Sequence, residues 1–212
     1  MDSAFRSNLP CNAQALWPTV MMDKRVMIRI LAISGSLRSQ SSNTTLLAAA
    51  SLLAPAGVEI AAYRGLGELP QFNPDLEGRE APEVLGYRQQ LKEADGVLIS
   101  SPEYAHGVPG ALKNALDWVV GSGELVNKPV ALWNASPRST YAQASLSETL
   151  TVMSARLIPQ ACITLPLWDK TLSAEGIATH SQISPLLFES LHELLRAIPK
   201  EPEPSRGNNT PG

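Results

Sequence analysis

Short β-branched runs alternate with longer Ala/Leu-rich or amphipathic stretches along the 212 residues, and that alternation predicts an α/β fold: a parallel sheet with helices on both faces. Two further observations support it. The strand candidates are apolar from end to end, as strands buried on both sides are. Hydrophobic residues make up 44% of the chain and charged residues 17%, enough apolar material for one sizeable core and too much for a disordered chain.

The first strand is predicted over 27–34, where Ile28, Ile30, Leu31 and Ile33 lead into Gly35. The Ala/Leu content of 45–53 predicts a helix, stopped by Pro55 and Gly57. A second strand follows over 58–63, and the Gly/Pro-punctuated stretch 65–82 reads as a long loop. Val84, Tyr87 and Leu91 share helical spacing within 83–94, and 96–101 is a strand halted at Pro102. Pro109 suits the first turn of a helix running to Gly121. A strand over 129–135, a helix over 140–157, a strand over 161–165 and a helix over 182–198 complete five strands alternating with helices. The domain spans 26–198. Residues 1–25 and 199–212 lack periodicity and are expected to be a disordered extension and tail.

Several classes of function are disfavoured at this level. With 17 Lys+Arg against 20 Asp+Glu the net charge is −3, which argues against a nucleic-acid partner held by a basic surface. The two cysteines, Cys11 and Cys162, are far apart, so neither a disulfide scaffold nor a zinc site is indicated, and a reducing, cytoplasmic location fits. No apolar run approaches the ~18–20 residues of a membrane helix. Three His without an HExxH pattern predict no metal site, and no G-x-S-x-G elbow supports a serine hydrolase.

In a parallel sheet of this kind a ligand belongs at the carboxyl ends of the strands, which directs attention to three loops. The first carries Gly35, Ser36, Leu37, Arg38, Ser39, Gln40, Ser41, Ser42, Asn43 and Thr44 into the first helix. Its hydroxyls, Arg38 and Asn43 lie where helix N–H groups are unpaired, an arrangement that holds phosphate. No further glycine follows before Gly57, so neither a dinucleotide GxGxxG nor a Walker loop is present, and one terminal phosphate is expected on Ser36, Arg38, Ser41, Ser42, Asn43 and Thr44. The alternative is that Ser41, Ser42 or Asn43 is only a helix cap. The second loop, 101–109, is stiffened by Pro102 and Pro109 and offers backbone groups and Tyr104 to a flat ligand. The third is 135–140.

The paired motifs Gly-Ser-x-Arg-x-x-Ser-x-Asn, from Gly35 to Asn43, and Pro-Glu-Tyr-x-x-Gly-x-Pro-Gly-x-Leu-Lys-Asn-Ala-x-Asp-Trp, from Pro102 to Trp118, resemble the NAD(P)H-dependent FMN reductase family, with its chromate, quinone and azo reductases. The resemblance spans roughly 28–165. It implies a flavodoxin-like three-layer sandwich with a five-stranded parallel sheet in the order 2-1-3-4-5. FMN is then the cofactor and NADPH or NADH the co-substrate. The isoalloxazine would rest on Pro102, Glu103, Tyr104, Ala105, His106 and Gly107, with Ser136 and Arg138 on its other side. The reaction would be a ping-pong transfer of hydride to flavin N5 and on to quinones, flavins, azo compounds or chromate, with no catalytic side chain required. A homodimer or homotetramer is implied as well. A flavodoxin-type carrier or a flavin-binding sensor without turnover is the alternative, and the mild charge of −3 counts against the carrier.

Two departures stand out. Many relatives have Asn where this chain has Ala105, and a glycine-rich third loop where this chain reads Ala135, Ser136, Pro137, Arg138, Ser139 and Thr140. His106 reads equally as a ligand contact or as a local hydrogen-bonding residue, and Glu103 as a turn cap or, by the resemblance, a residue near a subunit boundary. Trp118 and Trp133 read as core or subunit contacts, and Trp168 as a candidate contact to a ligand or second subunit.

Overall fold

The computed structural model describes residues 27–167 and 171–199; the two end segments expected to be disordered lie outside these, apart from Pro199, as does Trp168. Chain order is β1 (Ile28–Ser34), α1 (Ser42–Leu53), β2 (Val58–Tyr63), α2 (Pro82–Glu93), β3 (Gly96–Ser100), α3 (Gly110–Asp117), β4 (Pro129–Asn134), α4 (Thr140–Val152), β5 (Arg156–Leu157), β6 (Ile163–Thr164), α5 (Ala174–Thr179) and α6 (Ser184–Ala197). The described pairings within the sheet are parallel, in the order β2-β1-β3-β4-β5, with β6 also on β4. This is the flavodoxin-like arrangement expected.

Alternate residues of each strand enter opposite layers. Ile30, Ala32, Leu98, Ala131 and Trp133 pack under α1, α5 and α6, while Leu31, Ile33, Val97, Ile99, Val130 and Leu132 pack under α2, α3 and α4. All residues of β3 and β4 are buried, hence their unbroken apolar runs. Trp133 is a core residue, its indole N–H donating to Ser190 Oγ at 2.6 Å and joining β4 to α6.

Several elements differ from the sequence reading, among them the helix predicted to run to Gly121, which ends at Asp117. The helix predicted over 140–157 ends at Val152, because Ser154 takes φ 59° and Ala155 N–H returns to Leu150 O, which closes the helix and frees Arg156–Leu157 to pair with Pro129–Val130. The strand predicted over 161–165 is confined to Ile163–Thr164, because Pro159–Ala161 form a 3₁₀ turn; with Arg156–Leu157, which falls in the span predicted as helix, the edge of the sheet has two short strands in place of one. The six-residue helix α5, capped by Ser173, is too short to leave a periodic signal and is absent from the sequence reading.

Candidate active site

The carboxyl ends of β1 and β3 lie side by side, with Ile33 opposite Ile99 and Ser34 opposite Ser100. Gly35 N–H donates to Ser100 O at 2.8 Å, and a Cβ at Gly35 would run into the Ser101 side chain and Leu112, so the close approach of the two loops requires glycine there.

The first loop folds back on itself. Ser34 Oγ and Thr44 Oγ1 are hydrogen-bonded at 2.8 Å, drawing its two ends together. Ser41 is the N-cap of α1: its Oγ accepts from Thr44 N–H and its carbonyl from Thr45 N–H. The capping reading therefore holds for Ser41. Asn43 is buried and accepts from Ser100 Oγ at 2.9 Å, which ties the start of α1 to β3. Ser36 Oγ accepts from Arg38 N–H.

These bonds spend acceptors and leave donors. Ser36 and Ser41 each accept one bond and keep an O–H to give. Among the described residues the N–H groups of Ser42 and Asn43 find no protein acceptor. The first turn of α1 contains no acidic residue, and Arg38 projects from the exposed part of the loop. An excess of donors with a cation and no carboxylate fits a phosphate monoester. The donor set thus accommodates the phosphate end of FMN.

The second loop is a tight hairpin. Tyr104 and Gly107 exchange backbone hydrogen bonds at 3.1 and 2.9 Å, and the residues between them, Ala105 and His106, both have positive φ, 49° and 59°. That is the geometry of a type I′ turn. The N–H groups of Ala105 and His106 point to no protein acceptor among the described residues, and Tyr104 is 51% exposed. Pro102 precedes the turn in a partly buried position. The hairpin and the first loop share a cleft of about 310 Å³ lined by Gly35, Leu37, Arg38, Tyr104, Pro109, Gly110 and Ala111. Among the predicted residues Arg38 and Tyr104 meet there.

The third loop is organised by a buried amide. Asn134 Oδ1 accepts from Ser136 N–H at 3.0 Å and its Nδ2 donates to Ser139 O, while Ser136 Oγ accepts from Arg138 N–H. Ser136 and Arg138 do not line the cleft. The loop joins the site through its helix: Glu103 Oε2 accepts from Ala142 N–H at 2.8 Å, capping α4 with a carboxylate where Ser139 supplies no side-chain cap, and His106 stacks on Tyr141 with ring centroids 4.2 Å apart and planes at 11°. His106 thus makes a ring contact across loops rather than a local hydrogen bond.

Ser34, Ser100, Asn134 and Tyr141 were not singled out from sequence. The hydroxyl pair Ser100–Ser101 closing a buried strand is a signal for the second of these; Tyr141 leaves none, since its partner lies 35 residues earlier. The later half of the long motif has a different task. Asn114 accepts from Phe72 N–H at 2.8 Å and donates to Pro70 O at 2.9 Å, and the Trp118 indole donates to the same carbonyl at 2.8 Å, so α3 fastens the 65–82 loop. Among the described residues no group of three or more His, Cys, Asp or Glu could hold a metal ion, and no helix is long and apolar enough to cross a membrane.

Comparison with known proteins agrees with the motifs. The family model described as NADPH-dependent FMN reductase matches residues 28–169. An NAD(P)H-dependent FMN reductase of Pseudomonas aeruginosa is 31% identical over 173 residues, 79% of this chain and 93% of that protein. A quinone reductase of Escherichia coli K12 is 34% identical over 113 residues, which span 51% of this chain and 60% of that enzyme. Among solved structures, the flavoenzyme NAD(P)H:(acceptor) oxidoreductase FerB of Paracoccus denitrificans superposes with a TM-score of 0.67 at 26% identity, covering 81% of this chain and 97% of that one. On the strength of the family match over 28–169 and of a relative aligned along most of its length, the chain belongs to the NADPH-dependent FMN reductase family.

Proposed function

We propose that the chain binds FMN across the three loops and uses NADPH or NADH to reduce flat electron acceptors, quinones first among them. The observation that carries this reading is the donor-rich, carboxylate-free cup at the end of β1 beside the rigid hairpin at the end of β3, in a member of this family. Bound FMN would supply the redox chemistry between the nicotinamide and the acceptor.

The protein's part is binding and orientation. The N–H groups of Ser42 and Asn43, the hydroxyls of Ser36, Ser41, Ser42 and Thr44 and the Arg38 guanidinium hold the phosphate. Backbone from Pro102 to Gly107, with Tyr104 at its exposed edge, supports the ring, and the N–H groups of Ala105 and His106 are available to its polar edge. Ser136 and Arg138, outside the cleft itself, would approach the ring from the loop after β4. No side chain is required to make or break a bond. Free flavins, azo compounds and chromate are further acceptors under this reading, with a homodimer or homotetramer as the working assembly and the cytoplasm as the location.

The test is direct. The purified chain should show a flavin absorption spectrum and lose its yellow colour within seconds of anaerobic NADPH or NADH addition, and the colour should return on adding a benzoquinone. A colourless protein that also fails to take up added FMN rejects the reading. Arg38→Ala should weaken FMN binding by about tenfold, the scale of one lost charge-assisted contact; unchanged affinity would move the phosphate elsewhere.

A further inference from the structure

We propose that Tyr141 is a positioning residue for the ring-supporting hairpin, acting through His106; the proposal rests on the flavin reading above. The hairpin tip is two residues long, and neither is glycine or asparagine, the residues for which this turn is inexpensive. Two left-handed residues with a Cβ leave the tip poorly supported by its own two backbone hydrogen bonds.

α4 supports it from outside in two places: Glu103 accepts from Ala142 N–H, and the His106 ring lies flat on Tyr141. Tyr141 is 57% exposed and packs into neither core layer, so its placement is not explained by burial. The stack sits at the tip, where the N–H groups of Ala105 and His106 are presented. Removing it lets the hairpin leave the binding-competent form for part of the time, and apparent ligand affinity falls in proportion to the competent fraction.

The experiment measures FMN binding to the full-length chain, freed of flavin, by quenching of flavin fluorescence, together with the visible circular dichroism of the bound flavin. Tyr141→Ala should raise the dissociation constant about fivefold, roughly 1 kcal/mol at 1.4 kcal/mol per tenfold, and change the dichroism. Tyr141→Phe, which keeps the ring, should do neither. His106→Ala removes the same stack from the other side and should reproduce Tyr141→Ala, which guards against a folding defect peculiar to α4. Adding Ala105→Asn, a residue at ease with positive φ, to Tyr141→Ala should restore affinity. The proposal is overturned if Tyr141→Ala binds FMN as tightly and with the same dichroism as the parent, if Tyr141→Phe is as impaired as Tyr141→Ala, or if the double variant is not restored. A parent chain that binds no FMN overturns the flavin reading and this one with it, whereas a parent that binds and a variant that binds equally well overturn this one alone.

Discussion

Ala105 and His106 hold φ of 49° and 59°, a region that costs an L-residue with a Cβ roughly 1–2 kcal/mol. Histidine visits it more readily than alanine, so Ala105 is the strained member of the pair. The departure at Ala105 from the pattern the motif resembles therefore has a conformational meaning. Strain of this kind persists where the surroundings over-determine the backbone, and it concentrates at ligand-binding loops. Ala105→Asn should stabilise the flavin-free protein by about 1 kcal/mol, since Asn tolerates the left-handed region and is favoured in this turn. For a chain of this size that is a rise in Tm of about 2–4 °C. Differential scanning calorimetry of both proteins decides it; an unchanged or lower Tm would mean the turn is not strained as the dihedral angles indicate.

Between elements, long-range polar contacts hold what the core does not reach. Arg88 on α2 bonds Glu80 Oε1 at 2.7 Å and Glu124 Oε1 at 2.8 Å, and Ser122 Oγ donates to the other Glu124 oxygen, so the segments before α2 and after α3 are joined through one guanidinium. Burial pushes the Glu124 carboxyl up, but the hydrogen bonds from Ser122 and Arg88 outweigh it and leave the group below the ordinary carboxylate range. A carboxyl whose pKa is lower folded than unfolded adds stability above its unfolded value, about 4.3, and loses it as pH falls through the folded value. Glu124→Gln should thus cost about 1 kcal/mol at pH 7, with the deficit shrinking as pH is lowered through 4 toward 3; parallel urea titrations across that range measure it, and a constant deficit would assign the loss to packing. Contacts of this range also mark the limit of what the sequence discloses. Strands β1, β3 and β4 were legible because burial on both faces writes an apolar run, and a cap among Ser41, Ser42 and Asn43 because capping is local, with the structure selecting Ser41. The end of α4 and the split last strand were not, because Ser154 has no intrinsic preference for positive φ and the pairing of Arg156 with Pro129 spans 27 residues. Asn114 and Trp118 were visible as motif letters, but their partner Pro70 is more than forty residues away, so their fastening role became readable only in the fold. In the candidate site the donors of the first loop were legible, while the stack of His106 on Tyr141 was not.

At the level of the whole molecule, the loops that would hold the flavin are the crossovers after β1, β3 and β4, strands that lie next to one another in the centre of the sheet. Unfolding scatters them, so under the proposed reading FMN would bind the native state alone. Linkage then converts occupancy into stability: at a free concentration of one hundred times the dissociation constant the gain is about 2.7 kcal/mol. At 2–4 °C per kcal/mol for a chain of this length, the Tm should rise by about 5–11 °C on adding FMN. Riboflavin, which lacks the phosphate, should give a much smaller shift at equal concentration, because the donor cup formed by Ser36, Ser41, Ser42 and Asn43 would have no anion to bind. Arg38→Ala should shift the FMN dose-response to concentrations about tenfold higher without changing the riboflavin response. Thermal melts of the three samples separate the outcomes. Equal shifts with FMN and riboflavin would show that the first loop does not read the phosphate, and no shift with either would remove the flavin from these three crossovers altogether.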